Sequence, residues 1–130
     1  HSCSIGQSEY TKIVAKMEAD GGLFRGVIHH ALTAETGTVN GAAQDNGAAS
    51  TNGGRAGLWA PTATVVSVTA KYQDSADGST DWQDIATFTA ITGTTSELLT
   101  ITGNIRRYTR FIISAWNGTT ITPLSAFARL

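Results

Sequence analysis

Apolar and polar residues alternate through much of the second half of the chain. Between residues 64 and 72, Val66, Val68, Ala70 and Tyr72 fall on one side and Val65, Ser67, Thr69 and Lys71 on the other. This is the period of two expected of a strand with one buried face. Residues 73–81, Gln-Asp-Ser-Ala-Asp-Gly-Ser-Thr-Asp, form a turn cluster centred on Asp-Gly. Asp bonds its own backbone in turns and Gly accepts positive φ. A strand follows over 82–91, with Trp82, Ile85, Phe88 and Ile91 as its large apolar residues. Gly93-Thr94-Thr95 turns the chain into a strand at 96–102, and Gly103-Asn104 turns it again into 105–116. That strand carries Ile105, Tyr108, Phe111, Ile112, Ile113 and Trp116. Asn117-Gly118 reads as a tight hairpin turn. The closing strand, 119–129, holds Pro123, which lacks an N–H and belongs at an edge or a bulge.

The first half is less regular. Residues 1–9 read as a polar tail. Over 10–18, Ile13, Val14 and Met17 sit at helical spacing, while Ile13, Ala15 and Met17 alternate as in a strand. The turn signal Ala19-Asp20-Gly21-Gly22 and the apolar run 23–33 favour a hairpin, in which Phe24, Gly26, Ile28 and Leu32 share a face. Residues 36–57 are rich in Gly, Ala and Asn, with almost no large side chain. Such a segment cannot offset its ordering entropy by its own burial and reads as a long loop. In an assembling protein it would be an arm that orders against a neighbour. About seven short strands between Gly-rich turns, with no α/β alternation, predict an all-β fold. We expect an antiparallel β-sandwich, Ig-like or jelly-roll-like, forming a single domain over 10–130.

Composition agrees. The 130 residues suffice for one domain with a real core. Charged residues make up 15%, against roughly 25% in average domains. Thr, Gly and Ala fill the difference, which suits pleated sheets. Low charge is also a property of surfaces that face other protein. A net charge of −1 gives no electrostatic reason to expect a nucleic-acid partner. Cys3 is the single cysteine, so no intrachain disulfide and no Cys-based metal site is expected. Folding in a cytosol fits that economy. No apolar run approaches the ~20 residues of a membrane helix. The chain begins at His1 rather than Met, which points to a processed or truncated start.

Residues 64–129 resemble small virion proteins of tailed bacteriophages. The resemblance rests on the Val-rich strand, on Gln73-Asp74-Ser75-Ala76-Asp77-Gly78-Ser79-Thr80-Asp81-Trp82, and on Ile85-Ala86-Thr87-Phe88-Thr89-Ala90. Thr102-Gly103-Asn104-Ile105-Arg106-Arg107-Tyr108-Thr109-Arg110 and the closing Ala126-Phe127-Ala128-Arg129 complete it. Asp81 is one residue more than that pattern has before the Trp, and loop 36–57 has no counterpart in it. The resemblance implies a β-sandwich of the virion, assembled in the host cytoplasm. It would be a capsid decoration protein or a tail structural protein. Its partners would be the major capsid protein or other virion proteins, with homo-oligomers expected and no cofactor.

The residues themselves offer few alternatives. No Gly-x-Ser-x-Gly, Walker A, His-Glu-x-x-His or Cys-x-x-Cys motif occurs, so no catalytic residue is nominated. His29 and His30 are neighbours, and on a regular strand they point to opposite faces, one inward and one outward. That arrangement argues against joint metal ligation. Asp74, Asp77, Asp81 and Asp84 could hold Ca²⁺, but their spacing departs from the EF-hand pattern and suits turn chemistry better. Arg106, Arg107, Arg110 and Arg129 follow the last acid, Glu97. The middle of the chain is therefore acidic and its end basic. The functional reading is an inter-subunit contact in which Arg106, Arg107 and Arg110 of one copy meet Asp74, Asp77 and Asp81 of another. A second reading is contact with phosphate, and the plainer one is solvation and edge protection. Trp59 and Trp116 are candidate interface anchors. With Trp82 they could instead stack on sugar, as in a carbohydrate-binding module for host attachment.

Overall fold

The computed structural model describes residues 25–129. The expected tail at 1–9 and the expected strand at 10–18 lie outside them. Seven strands occur: β1 (Arg25–His30), β2 (Val39–Asn40), β3 (Gln44–Asp45), β4 (Gly54–Ser75), β5 (Gln83–Thr87), β6 (Thr95–Ile101) and β7 (Tyr108–Arg129). Every pairing is antiparallel, and no helix occurs among the described residues. The all-β expectation holds.

β4 and β7, of 22 residues each, pair along almost their whole lengths. A straight strand of that length would span about 70 Å. A chain of this size has a radius of gyration near ~14 Å. The pair must therefore bend, and bulges supply the bend. Its register shifts at Trp59/Thr62, Thr64/Val65, Val65/Ser67 and Thr69/Ala70. The extra residues fall alternately on the two strands: Ala60 and Pro61 or Val66 on β4, Ser114 or Thr119 on β7. Each adds local twist and curvature. One half of the pair, Gly54–Ala60 against the end of β7, carries β6 and β1 on its flanks. The other half, Lys71–Ser75 against the start of β7, carries β5 on one side and β2 and β3 on the other.

Two sandwich layers result, with the core between them. Tyr72, wholly buried, sits 5.1 Å from the Phe127 ring across the layers and 5.5 Å from Phe111 beside it. Leu58, Val68, Phe88, Ile91, Ile105, Ile113 and Ile121 complete the core. The Tyr72 hydroxyl meets Ser125 Oγ at 2.6 Å, and Ser125 Oγ donates to Gly57 O at 2.8 Å. Both buried hydroxyls are thus satisfied. A smaller cluster, Ala126 and Ala128 with Leu98, packs on the other face of β7.

Several expectations need correction. Asn117-Gly118 is no hairpin: β7 runs straight through it, and Gly118 pairs with Val65. Gly is needed there for closeness, since a Cβ would lie 2.6 Å from Val65 Cα. Residues 54–57 belong to β4 rather than to a loop, and the remainder, 36–53, lies along β7 and the residues just before it. Val39 pairs with Ile113, Gln44 with Thr109 and Ser50 with Ile105. Finally, His29 and His30 both turn inward. A register irregularity between Ile28 and His30 adds one residue to β1 and breaks the alternation. The face shared by Ile28 and Leu32 is the outer one, with the two 43% and 39% exposed.

Val66 departs from its expected face for the same reason. Val68, Ala70 and Tyr72 are buried as the alternation requires, but the bulge leaves Val66 66% exposed and packs Val65 on the core. Pro123 sits beside the Trp59/Thr62 bulge, in keeping with its missing N–H.

Candidate interaction surface

Most charged side chains of the described residues gather at one end of the sandwich, where β4 finishes, β5 and β7 begin, and the 76–82 turn closes over them. Arg106 is the organising group. Its Nε donates to Asp74 Oδ1 at 2.9 Å and its backbone N–H to Asp74 Oδ2 at 2.9 Å. Its Nη1 donates to Asp81 Oδ2 at 2.8 Å, and Nη2 to the carbonyls of Asp74 and Asp81 at 2.6 and 2.7 Å. The guanidinium holds the turn as a bound cation would. Asp81 adopts φ 55°, the only positive φ outside glycine among the described residues.

Asp77 closes the same turn. Its carboxylate accepts from the Thr80 hydroxyl at 2.7 Å and from the Thr80 and Ser79 N–H groups at 2.8 and 3.0 Å. Those donors, the Thr80 hydroxyl foremost, hold it well below the usual carboxylate range. Both carboxylate oxygens of Asp74 and of Asp77, and Oδ2 of Asp81, thus accept bonds from within the chain. The network continues outward on β4, β5 and β7. Lys71 Nζ donates to Asp84 Oδ2 at 2.8 Å, Gln73 Nε2 to Asp84 Oδ1 at 2.7 Å, and Arg110 Nη2 to Gln73 Oε1 at 2.7 Å. The Arg110 guanidinium carbon lies 4.2 Å from the Trp82 ring centroid. Arg107 grips Asp45 with two bonds, of 2.7 and 2.9 Å, and draws its carboxyl down to about 2.

Arg106, Asp74 and Asp81 therefore meet within one chain, Asp77 serves the turn, and Arg107 and Arg110 are engaged with Asp45, Gln73 and Trp82. Asp45 was not among the expected site residues, because nothing local in loop 36–57 marks it as an arginine partner. The tryptophans are not brought together as one platform. Trp59 is 7% exposed on β4, Trp82 is covered by Arg110, and Trp116 leans on the core and donates Nε1–H to Gly118 O at 3.1 Å.

The bend in the middle of the β4–β7 pair is chemically different. No charged residue lies between Arg55 and Lys71 on β4, or between Arg110 and Arg129 on β7. At the bend the two strands pair only with each other among the described residues. β6 leaves β4 at Ala60, and the chain after β5 rejoins it at Val68. β2 leaves β7 at Ile113, and Glu35 rejoins it at Ile121. Thr62, Thr64, Val66, Ser67, Ser114, Ala115, Asn117, Gly118 and Thr119 are all exposed on this two-stranded ribbon. It offers backbone, hydroxyls, methyls and one valine, with no charge.

No family model and no curated protein matches the chain. Among solved structures it is similar to the SPBc2 prophage-derived protein YomS, with a TM-score of 0.47 and 10% identity over 82% of this chain and 94% of that one. It is also similar to a chain of the infectious bursal disease virus Gx strain, with a TM-score of 0.47 and 14% identity over 82% of this chain. The match spans 31% of the viral chain, under a third of its length. A chitosan-binding module from a Paenibacillus sp. IK-5 chitosanase/glucanase matches with a TM-score of 0.39 and 15% identity, over 75% of this chain and 95% of the module.

Proposed function

We propose that this chain is a non-enzymatic structural subunit of a virus particle, acting as a capsid decoration protein that binds the shell in many copies. The observation that carries the reading is the division of its surface. At one end the ionisable groups are spent on holding turns and strands. At the bend, an exposed β-ribbon lacks charge, which is the composition of an interface centre. Among the described residues, every acid from Glu35 to Glu97 has a named partner within the chain. The likeness of residues 64–129 to small phage virion proteins directs the choice of a shell as partner. The exposed ribbon, with Trp116 behind it, would carry contacts among the assembled copies.

Sedimentation of the purified chain with empty tailed-phage shells tests this. Saturable binding at a fixed ratio of copies to shell protein is expected. Absence of binding to shells, with binding to purified tails, would move the chain to the tail. Binding to neither, with retention on a glycan array that is lost in Trp116→Ala, would replace the structural reading by carbohydrate recognition.

A further inference from the structure

We infer that the bent ribbon, residues 61–67 of β4 with 114–119 of β7, is the contact through which two copies of this chain associate about a two-fold axis. The inference rests on the assembly reading above and names the partner for that surface. A two-fold contact sets each residue near the axis against its own copy. Any charge there meets a like charge, so a self-contact must be free of charge at its centre. β3, β5 and β6 each carry a charge, Asp45, Asp84 and Glu97 respectively. The ribbon brings none over its whole length.

Its form suits the same role. Both of its outer edges are unpaired among the described residues, and the alternating bulges push Val66, between the Val65–Gly118 and Ser67–Asn117 pairs, out to 66% exposure. A single large apolar side chain, ringed by Thr, Ser, Ala and Asn, is a modest anchor. It fits a contact that is weak between two free copies and adds up over many copies on a lattice.

The test is light scattering of the full chain over a range of concentrations, for the wild type and three variants at exposed ribbon positions: Val66→Lys, Val66→Glu and Thr119→Lys. The wild type is expected to show a concentration-dependent dimer. Each variant is expected to weaken it by roughly tenfold or more, because the new charge appears twice across the axis. An equimolar mixture of Val66→Lys and Val66→Glu is expected to restore association. Thermal unfolding of each variant checks that the fold is intact. A wild type that is monomeric at every concentration overturns the inference, as does a dimer indifferent to Val66→Lys and Thr119→Lys, or a mixture that fails to re-associate. A monomer that still binds shells saturably would sink the two-fold contact and leave the assembly reading intact. Dimers that ignore shells would do the reverse.

Discussion

Arg106 shows how much one side chain can organise and how little of that was legible beforehand. The acidic turn and the basic strand stood out as separate features, and their charges invited pairing between copies. What could not be read was that the turn folds back by the length of β4 and β5, which brings Asp74 and Asp81 onto Arg106 of the same chain. Asp74 is 5% exposed at its side chain, so removing its partner leaves a carboxylate with little water to replace the lost bonds. Arg106→Ala is expected to cost about 2–3 kcal/mol, measured by urea unfolding. Arg106→Lys should recover only part of it, since one ammonium cannot supply both the Nε contact and the fork to Asp81. Gly118→Ala tests a different kind of residue. Its Cβ would lie 2.6 Å from Val65 Cα and 2.7 Å from Val65 Cβ, so the ribbon must open to admit it. A loss of about 1–3 kcal/mol is expected, seen as a lower urea midpoint. A glycine in an Asn-Gly pair looks like a turn because the usual need is positive φ. Here the need is a close approach of two backbones, which leaves no mark in one sequence.

Among the elements, β1 and the strip 36–53 depend on side-chain bonds more than on regular pairing. Asn46 Nδ2 donates to Thr109 Oγ1 at 3.1 Å, Thr109 Oγ1 meets His29 Nε2 at 3.1 Å, and His29 Nδ1 meets Val27 O at 3.2 Å. A neutral ring protonated on Nδ1 satisfies all three. Burial holds the His29 imidazole below its ordinary value of 6.5, between the Tyr72 and Phe127 rings. The unfolded chain therefore binds the proton more readily than the folded one. The stability this confers is whole above pH ~6.5 and is lost as pH falls below it through the folded value. Urea unfolding from pH 7.5 to pH 5 should show that slope, and His29→Gln should flatten it. Asp45, drawn down to about 2 by Arg107, acts only in a lower window, below about pH 4, so the two contributions separate. Asn46→Ala should leave the core in place but speed proteolysis within residues 36–53. The strip's order was illegible in its Gly/Ala/Asn composition, since its bonds go to the backbone of β7 and of the residues just before it and to the distant side chains of Thr109, Arg107 and Arg129. β1 was legible as a strand but not in its facing, because one bulge residue inverts a period-two pattern from that point on.

For the whole molecule, alternation in the second half was a sound guide to the class of fold and to most of the core. It failed at the join between the layers. Two strands of 22 residues replace three expected shorter pieces, 64–72, 105–116 and 119–129, and the turn expected at Asn117-Gly118, because bulges bend the pair without ending it, and a bulge has no compositional signature comparable to Asn-Gly in a hairpin. The bend is also what divides the surface into a charged end and an uncharged ribbon, and this division makes a prediction about assembly as a whole. If pairing between the basic strand of one copy and the acidic turn of the next held the particle together, association would weaken steeply as sodium chloride rises from ~0.1 M to ~1 M, where the screening length falls from about 10 Å to about 3 Å. Those charges are already satisfied within each chain, and the proposed contact contains none. Binding to shells and between copies is therefore expected to persist across that range, and to strengthen in sulfate, which favours burial of apolar surface. Sedimentation at both salt concentrations separates the two: release of the bound copies at ~1 M sodium chloride would return the contact to the charged end, around Arg107 and Asp77, and retention would keep it on the ribbon.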